Sequence, residues 1–387
     1  MLKGKDIIYF SNDWSASHRT SSHHIAQELM KNNRILYVET GGMRPPEISV
    51  KDLRRIFLRF VSWLKRVRKV NDNFYLYSMF IFPFHGRWAY RLNAWLNIFF
   101  LKRAMANLRF KDPILWFIAP HVSYLADSLP SGPIVYYCTD NMPQAPGADK
   151  NALERNVECL LRRADVVFAT SEHLCNLLKD KKINSNIFYS PHAVDFAHFS
   201  KAQDVQLPVA AEINCLKKPV VGFVGNVEGW VDLKLIAHIA RSKPDWSIVL
   251  IGQIRVPVND LSCLPNVICT GYRKYDKLPS YLKGFDAVII PFLINELTES
   301  VNPLKLKEYL AAGKPVISVR LPEVEKFKGL VEIADSYQDF VHKIEAAYKT
   351  DSADKISKRM ESVKGESWND RAEKVCDIIE NAIKRKT

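Results

Sequence analysis

Short apolar runs, rich in β-branched and aromatic residues, recur along the chain at residues 7–10, 34–39, 114–118, 134–138 and 166–170. Each is followed by a stretch with helical spacing, and each is too short for a helix of its own. This is the pattern of βαβ units on a parallel sheet whose strands are buried on both faces. A polar stretch at 200–219 interrupts the series. A second begins beyond it, with runs at 220–224, 247–251, 266–270, 287–291 and 315–319. Near the end, Ser367 stands as N-cap before Val375, Ile378, Ile379 and Ile383 at helical spacing, which predicts a closing amphipathic helix.

Two such series predict an α/β protein of two doubly wound, Rossmann-like domains facing each other across a cleft. The expected division is 1–205, 206–365 and a C-terminal helix, 366–387, packing back on the first domain. A length of 387 residues suits two cores better than one. Ligands of such sheets sit at the carboxyl ends of the strands.

Composition adds three constraints. The longest apolar stretches fall well short of a membrane span, and the first residues show no secretory signal pattern. The seven cysteines are scattered with no C-x-x-C pair, which suggests reduced thiols rather than a zinc site or disulfide framework. The net charge of +13 is concentrated: residues 51–111 hold 14 basic and 2 acidic side chains. Such a patch fits an anionic partner; no nucleic-acid motif accompanies it, so a membrane surface is the better match. At 100° per residue, 51–69 places Leu53, Ile56, Phe57, Phe60, Val61, Trp63, Leu64 and Val67 on one side. Lys51, Arg54, Arg55, Arg59, Lys65, Arg66 and Lys69 fall on the rest, which predicts a helix lying on an anionic membrane.

The segment richest in chemistry runs from Pro291 to Val316. A strand ends near Pro291, and a helix is expected to start with Asn302 as N-cap and Pro303 as first helical residue, stopping at Gly313. Free N–H groups and the positive dipole end at such a helix start suit a diphosphate. Lys305 adds a full charge there, and Glu308, one turn on, is placed to accept hydrogen bonds from two ribose hydroxyls.

These residues resemble the donor-site signature of GT-B glycosyltransferases, in particular the bacterial enzymes of surface-polysaccharide synthesis such as teichuronic-acid glycosyltransferases and xanthan-type glucuronosyltransferases. The resemblance rests on Asn302-Pro303-Leu304-Lys305, on Glu308-Tyr309-Leu310-Ala311-Ala312-Gly313-Lys314-Pro315-Val316, and on Gly222-Phe223-Val224-Gly225-Asn226. Pro191-His192-Ala193-Val194-Asp195, Ala164-Asp165, Ala169-Thr170-Ser171 and Ser367-Trp368 extend it over most of residues 134–380. It implies a donor site drawn from Glu308, Lys305, Asn302, Pro303, Leu304, Ser300, Tyr272, Gly225 and Asn226, with the nucleobase beside Thr270-Gly271-Tyr272-Arg273. There are departures. The position eight before Glu308, often a glutamate in the wider family, is Ser300, and no basic pair follows Gly225; both bear on whether the anomeric configuration is retained.

An inverting transfer needs a base for the acceptor hydroxyl. Asp140, after the 134–138 strand, resembles the proposed base of the glucuronosyltransferase branch; Asp13 is the second candidate. Its loop, with Trp14, His18, Arg19, His23 and His24, is expected to line the acceptor side, with Arg19 and His24 as candidate contacts. No D-x-D pair occurs, so carboxylate-held Mg²⁺ is not indicated and no cofactor is expected. The reading is a metal-independent glycosyltransferase, hexosyl or glycuronosyl, using a UDP- or GDP-sugar and a lipid-linked saccharide. It would be cytoplasmic, held peripherally on the inner face of the cell membrane. Alternatives are another enzyme on this architecture, such as a sugar-nucleotide epimerase, or an inactive membrane scaffold.

Overall fold

The computed structural model describes residues 2–15, 19–41, 67–79 and 87–384. They divide into two units, Met1–Ser190 with Arg371–Thr387, and Pro191–Asp370.

The first unit is an eight-stranded sheet in the order β3-β4-β2-β1-β5-β6-β7-β8. Its strands are β1 (Asp6–Ser11), β2 (Arg34–Glu39), β3 (Arg68–Lys69), β4 (Phe74–Ser78), β5 (Ile114–Phe117), β6 (Ile134–Cys138), β7 (Val166–Ala169) and β8 (Ile187–Tyr189). All neighbours are parallel except β3, which runs antiparallel to β4 with Arg68 opposite Leu76. The second unit is a six-stranded parallel sheet, β11-β10-β9-β12-β13-β14. It is built from β9 (Val220–Val224), β10 (Ser247–Ile251), β11 (Val267–Gly271), β12 (Ala287–Ile290), β13 (Val316–Val319) and β14 (Glu332–Ala334). The central strands β1, β2, β5, β6, β9, β10 and β12 are almost wholly buried, as their uninterrupted apolar runs require.

One device brackets both sheets. Asp165, just before β7, accepts from Ile134 N at 2.8 Å, and Asp286, just before β12, accepts from Val220 N at 2.7 Å. Each carboxylate ties the start of one strand to its parallel neighbour and so sets the register. The expected strands are present, with ends shifted by a residue at most. The pattern missed β3, β4, β8 and β14, which lie at or next to the sheet edges.

The first unit closes at Ser190, upstream of the expected boundary at 205, because residues 191–203 are tied into the second. Lys307 Nζ donates to His192 O at 2.5 Å, and Gln203 Nε2 donates to Ala312 O at 2.7 Å. The closing helix is Trp368–Lys384, with Ser367 Oγ accepting from Asp370 N at 3.1 Å, and the chain re-enters the first unit at Arg371. Val375 and Ile379 on it are buried.

The membrane helix expected over 51–69 meets the described structure only at its end. Arg68 and Lys69 are not helical: they pair with β4, where the turn at 70–73 folds the chain back. The rest, 51–66, lies outside the described residues. Within the described residues no helix is long and apolar enough to cross a membrane.

Candidate functional site

In the second unit the strand order reverses direction between β9 and β12. The loops leaving these two adjacent strands therefore diverge and leave a crevice at their carboxyl ends. The first loop carries Gly225 and Asn226; the second leads through a short helix, Glu296–Glu299, to the helix Leu304–Ala311. Tyr309 fixes that helix to the strand. Its buried hydroxyl accepts from Val224 N at 2.8 Å and lies 3.4 Å from Val224 O. Burial, with Glu308 as a smaller cause, holds the Tyr309 phenol far above its ordinary pKa, so it remains a neutral tether.

The tether sets Lys305 beside Gly225. The lysine ammonium lies 5.4 Å from the Phe223 ring centroid and 4.8 Å from that of Phe292. Gly225 has φ of 155°, and a Cβ there would meet Lys305 Cε at 3.0 Å. Gly252 closes the other flank, where a Cβ would come 2.0 Å from Gly225 O, so only glycine fits. Both Lys305 and Glu308 are partly buried. Burial pulls Lys305 down to about 8 and pushes Glu308 up to about 7, with each charge partly opposing the other's shift. Asp195, the N-cap of the short helix Phe196–Phe199, raises Glu308 a little further.

Neither the Lys305 ammonium nor the Glu308 carboxylate makes a hydrogen bond or ion pair with a described residue. Their neighbour Lys307, by contrast, is buried and hydrogen-bonded, donating to His192 O and to Glu366. Two partly buried, opposite charges on one helical turn, with no hydrogen bond to either, are costly unless a ligand completes them.

The helix start differs from expectation. Its N-cap is Pro303 and its first residue Leu304, with no side chain capping the end. Asn302 is buried, and its amide donates to Glu323 Oε2 at 3.4 Å instead. The first backbone N–H groups of this helix have no side-chain cap, which suits an anion better than a capped end would. Ser300 is fully buried, its hydroxyl donating to Glu296 O at 2.8 Å. Asn226 Oδ1 accepts from Gln253 N at 3.3 Å, bracing the loop. Tyr272 is exposed just after Gly271, whose φ is 72°; Arg273 is spent on Glu212 and the Tyr281 hydroxyl. Glu228 and Asp232, which come soon after Asn226, are structural: Glu228 pairs with Arg255 at 3.2 Å, and Asp232 caps the Leu233–Ser242 helix and accepts from Tyr337.

In the first unit the switch point falls between β1 and β5, and Asp13 follows β1 on that edge. Asp140 follows β6, one strand beyond β5, on the same carboxyl edge. Burial raises the Asp140 pKa, against a hydrogen bond from the Thr139 side chain. His23 and His24 are not in a loop; they occupy the first turn of the helix Ser21–Leu29. His23 is a buried brace, with Nδ1 2.9 Å from Thr20 Oγ1 and Nε2 3.1 Å from Asp13 O. His24 is half-buried and Arg19 exposed, while His18 lies outside the described residues. Sequence reasoning missed the positioning groups Tyr309, Lys307 and Glu366. Tyr309 lay within the recognised motif, and only its packing against Val224 reveals its use.

Among the described residues no three His, Cys, Asp or Glu side chains come together as a metal site, and all seven cysteines are free.

Residues 218–350 match the family described as "Glycosyl transferases group 1". The chain is 29% identical over 229 residues to the "Putative teichuronic acid biosynthesis glycosyltransferase TuaH" of Bacillus subtilis (strain 168). That match spans 55% of this chain and 57% of the relative, little more than half its length. In fold the chain is similar to sucrose-phosphate synthase from Thermosynechococcus elongatus, with a TM-score of 0.72 and 12% identity over 97% of this chain and 98% of the other. It is also similar to Anabaena Alr3699/HepE in complex with UDP and glucose, with a TM-score of 0.68 and 13% identity over 97% and 99%.

Proposed function

The chain is a GT-B protein whose residues 218–350 belong to the group 1 glycosyltransferases, and from that premise we propose that it moves a sugar from a nucleotide donor, a UDP- or GDP-sugar, to a saccharide acceptor. The observation that carries this is the pair Lys305 and Glu308, whose charged groups make no hydrogen bond, beside an uncapped helix end after β12. A nucleoside diphosphate supplies what each group lacks. The diphosphate takes the helix N–H groups and the lysine charge; the ribose hydroxyls donate to the glutamate. Tyr272 covers the base. The N-terminal end of the helix and Lys305 provide the positive charge that the leaving diphosphate needs, so the reaction as proposed is metal-independent.

Asp140 serves as the base that takes the acceptor proton, its raised pKa bringing it nearer neutrality, where a base works best. Asp13 is the second candidate, and Arg19 and His24 contact the acceptor. The acceptor is a lipid-linked saccharide of bacterial polysaccharide synthesis, reached from the inner face of the cell membrane. Similarity to the B. subtilis relative and the basic segment 51–111 support this part.

A screen for released nucleotide across UDP- and GDP-sugars, with bacterial lipid extracts as acceptor, tests the reading. Release from one donor that depends on the extract and is lost in Lys305→Ala supports it. Conversion of one nucleotide sugar into another without an acceptor would show an epimerase, and no turnover with any donor would reject catalysis.

A further inference from the structure

The helix Arg87–Leu108 has two apolar faces. One is ordinary: Leu101, Ala104 and Met105 are buried, and Asn97 with them. At 100° per residue the opposite side carries Trp88, Trp95 and Phe99 within about 40° of each other. These three are 60%, 61% and 50% exposed, and the Trp95 and Phe99 rings stack at 6.0 Å. A helix that only covers its own core needs one stripe; a second, aromatic one held in water costs free energy and marks a contact surface. Arg91, Lys102 and Arg103, all exposed, flank the aromatic row. The helix contains four basic residues and no Asp or Glu.

From this face we infer a peripheral docking surface for a bilayer containing anionic lipid, with Trp88, Trp95 and Phe99 entering the headgroup layer and Arg91, Lys102 and Arg103 on lipid phosphates. It extends the membrane part of the proposed function by naming the surface, and it is independent of which donor is used. Charge decides between occupants. A second copy of the chain meeting this face about a two-fold axis would set the same cationic patch against itself, which is repulsive. An anionic bilayer offers opposite charge together with an interface where indole and phenyl rings are at home.

The test is co-sedimentation of the full chain with phosphatidylglycerol–phosphatidylcholine vesicles and with phosphatidylcholine vesicles. It compares wild type with Trp95→Ser/Phe99→Ser and with Arg91→Gln/Lys102→Gln/Arg103→Gln. All five positions are exposed, so both variants keep the fold, and circular dichroism checks that. Wild type is expected to bind the anionic vesicles. The aromatic variant should lose about tenfold or more in partitioning, and the charge variant about fivefold per residue removed. Nucleotide titration of the same proteins reads the donor site separately and should not change. The inference is overturned if wild type does not bind anionic vesicles, or if the aromatic variant binds them as well as wild type. It is also overturned if wild type is a dimer in solution that the aromatic variant dissolves.

Discussion

Replacing Glu308 with glutamine should make the protein more stable and a poorer binder at once. The carboxyl's folded-state pKa of about 7 lies above its ordinary 4.5, because burial disfavours the charged form. Folding therefore penalises the carboxylate. The penalty is absent below pH 4.5, grows through the interval and is complete above pH 7. A shift of this size corresponds to about 3 kcal/mol as an upper limit, and water reaching the partly exposed group lowers it to about 1–2 kcal/mol in practice. The substituted amide would be neutral at every pH and nearly the same shape. In urea melts, Glu308→Gln should exceed wild type by that amount at pH 8, with the advantage shrinking to nothing near pH 4.5. Nucleotide affinity should move the other way. Two ribose hydroxyls that bond to a charged acceptor lose about 1 kcal/mol each when it becomes neutral, or roughly thirtyfold in Kd. Calorimetry with the nucleotide of the donor found in the screen measures this. A variant that melts earlier at pH 8 and binds nucleotide like wild type would show that Glu308 is a structural residue, and the reasoning fails.

The paired shifts predict a bell-shaped pH dependence of nucleotide affinity, highest between about 7, where Glu308 ionises, and about 8, where Lys305 loses its proton; a flat profile from pH 6 to 9 contradicts it. Lys305→Met should remove the alkaline limb and weaken binding of a nucleoside diphosphate far more than that of the nucleoside, read by the same titration. Tyr309→Phe leaves the buried Val224 N–H without its partner, so it should lower stability by about 1–3 kcal/mol and nucleotide affinity with it; unchanged melting would dissolve the tether argument. Asp140→Asn should abolish transfer while leaving nucleotide affinity intact, and near-normal turnover with the true acceptor would move the role to Asp13.

The alternating runs showed both sheets because their central strands are buried on both faces, and no charged residue can interrupt them. The edges did not show. β4, with the sequence FYLYS, reads as an aromatic patch until its pairing with β2 is seen, and β3 is formed by Arg68 and Lys69, whose composition argues for a surface helix. Lys305 and Glu308 drew attention as candidates because a helix start after a parallel strand is a local pattern. Asn302 misled for a local reason as well: it is a good capping residue, but its amide is drawn to Glu323, 21 residues away. Tyr309 with Val224, and Lys307 with His192 and Glu366, are separated by long stretches of chain, and periodicity carries no information about which distant groups meet.

The central claim, that a nucleoside diphosphate completes Lys305 and Glu308, is tested most directly by a crystal structure with UDP or GDP bound. The diphosphate should lie within hydrogen-bond distance of Lys305 Nζ and the backbone N–H groups at Leu304 and Lys305, with both ribose hydroxyls on the Glu308 carboxylate. Nucleotide bound away from this helix, or bound here with Glu308 still untouched, would contradict it.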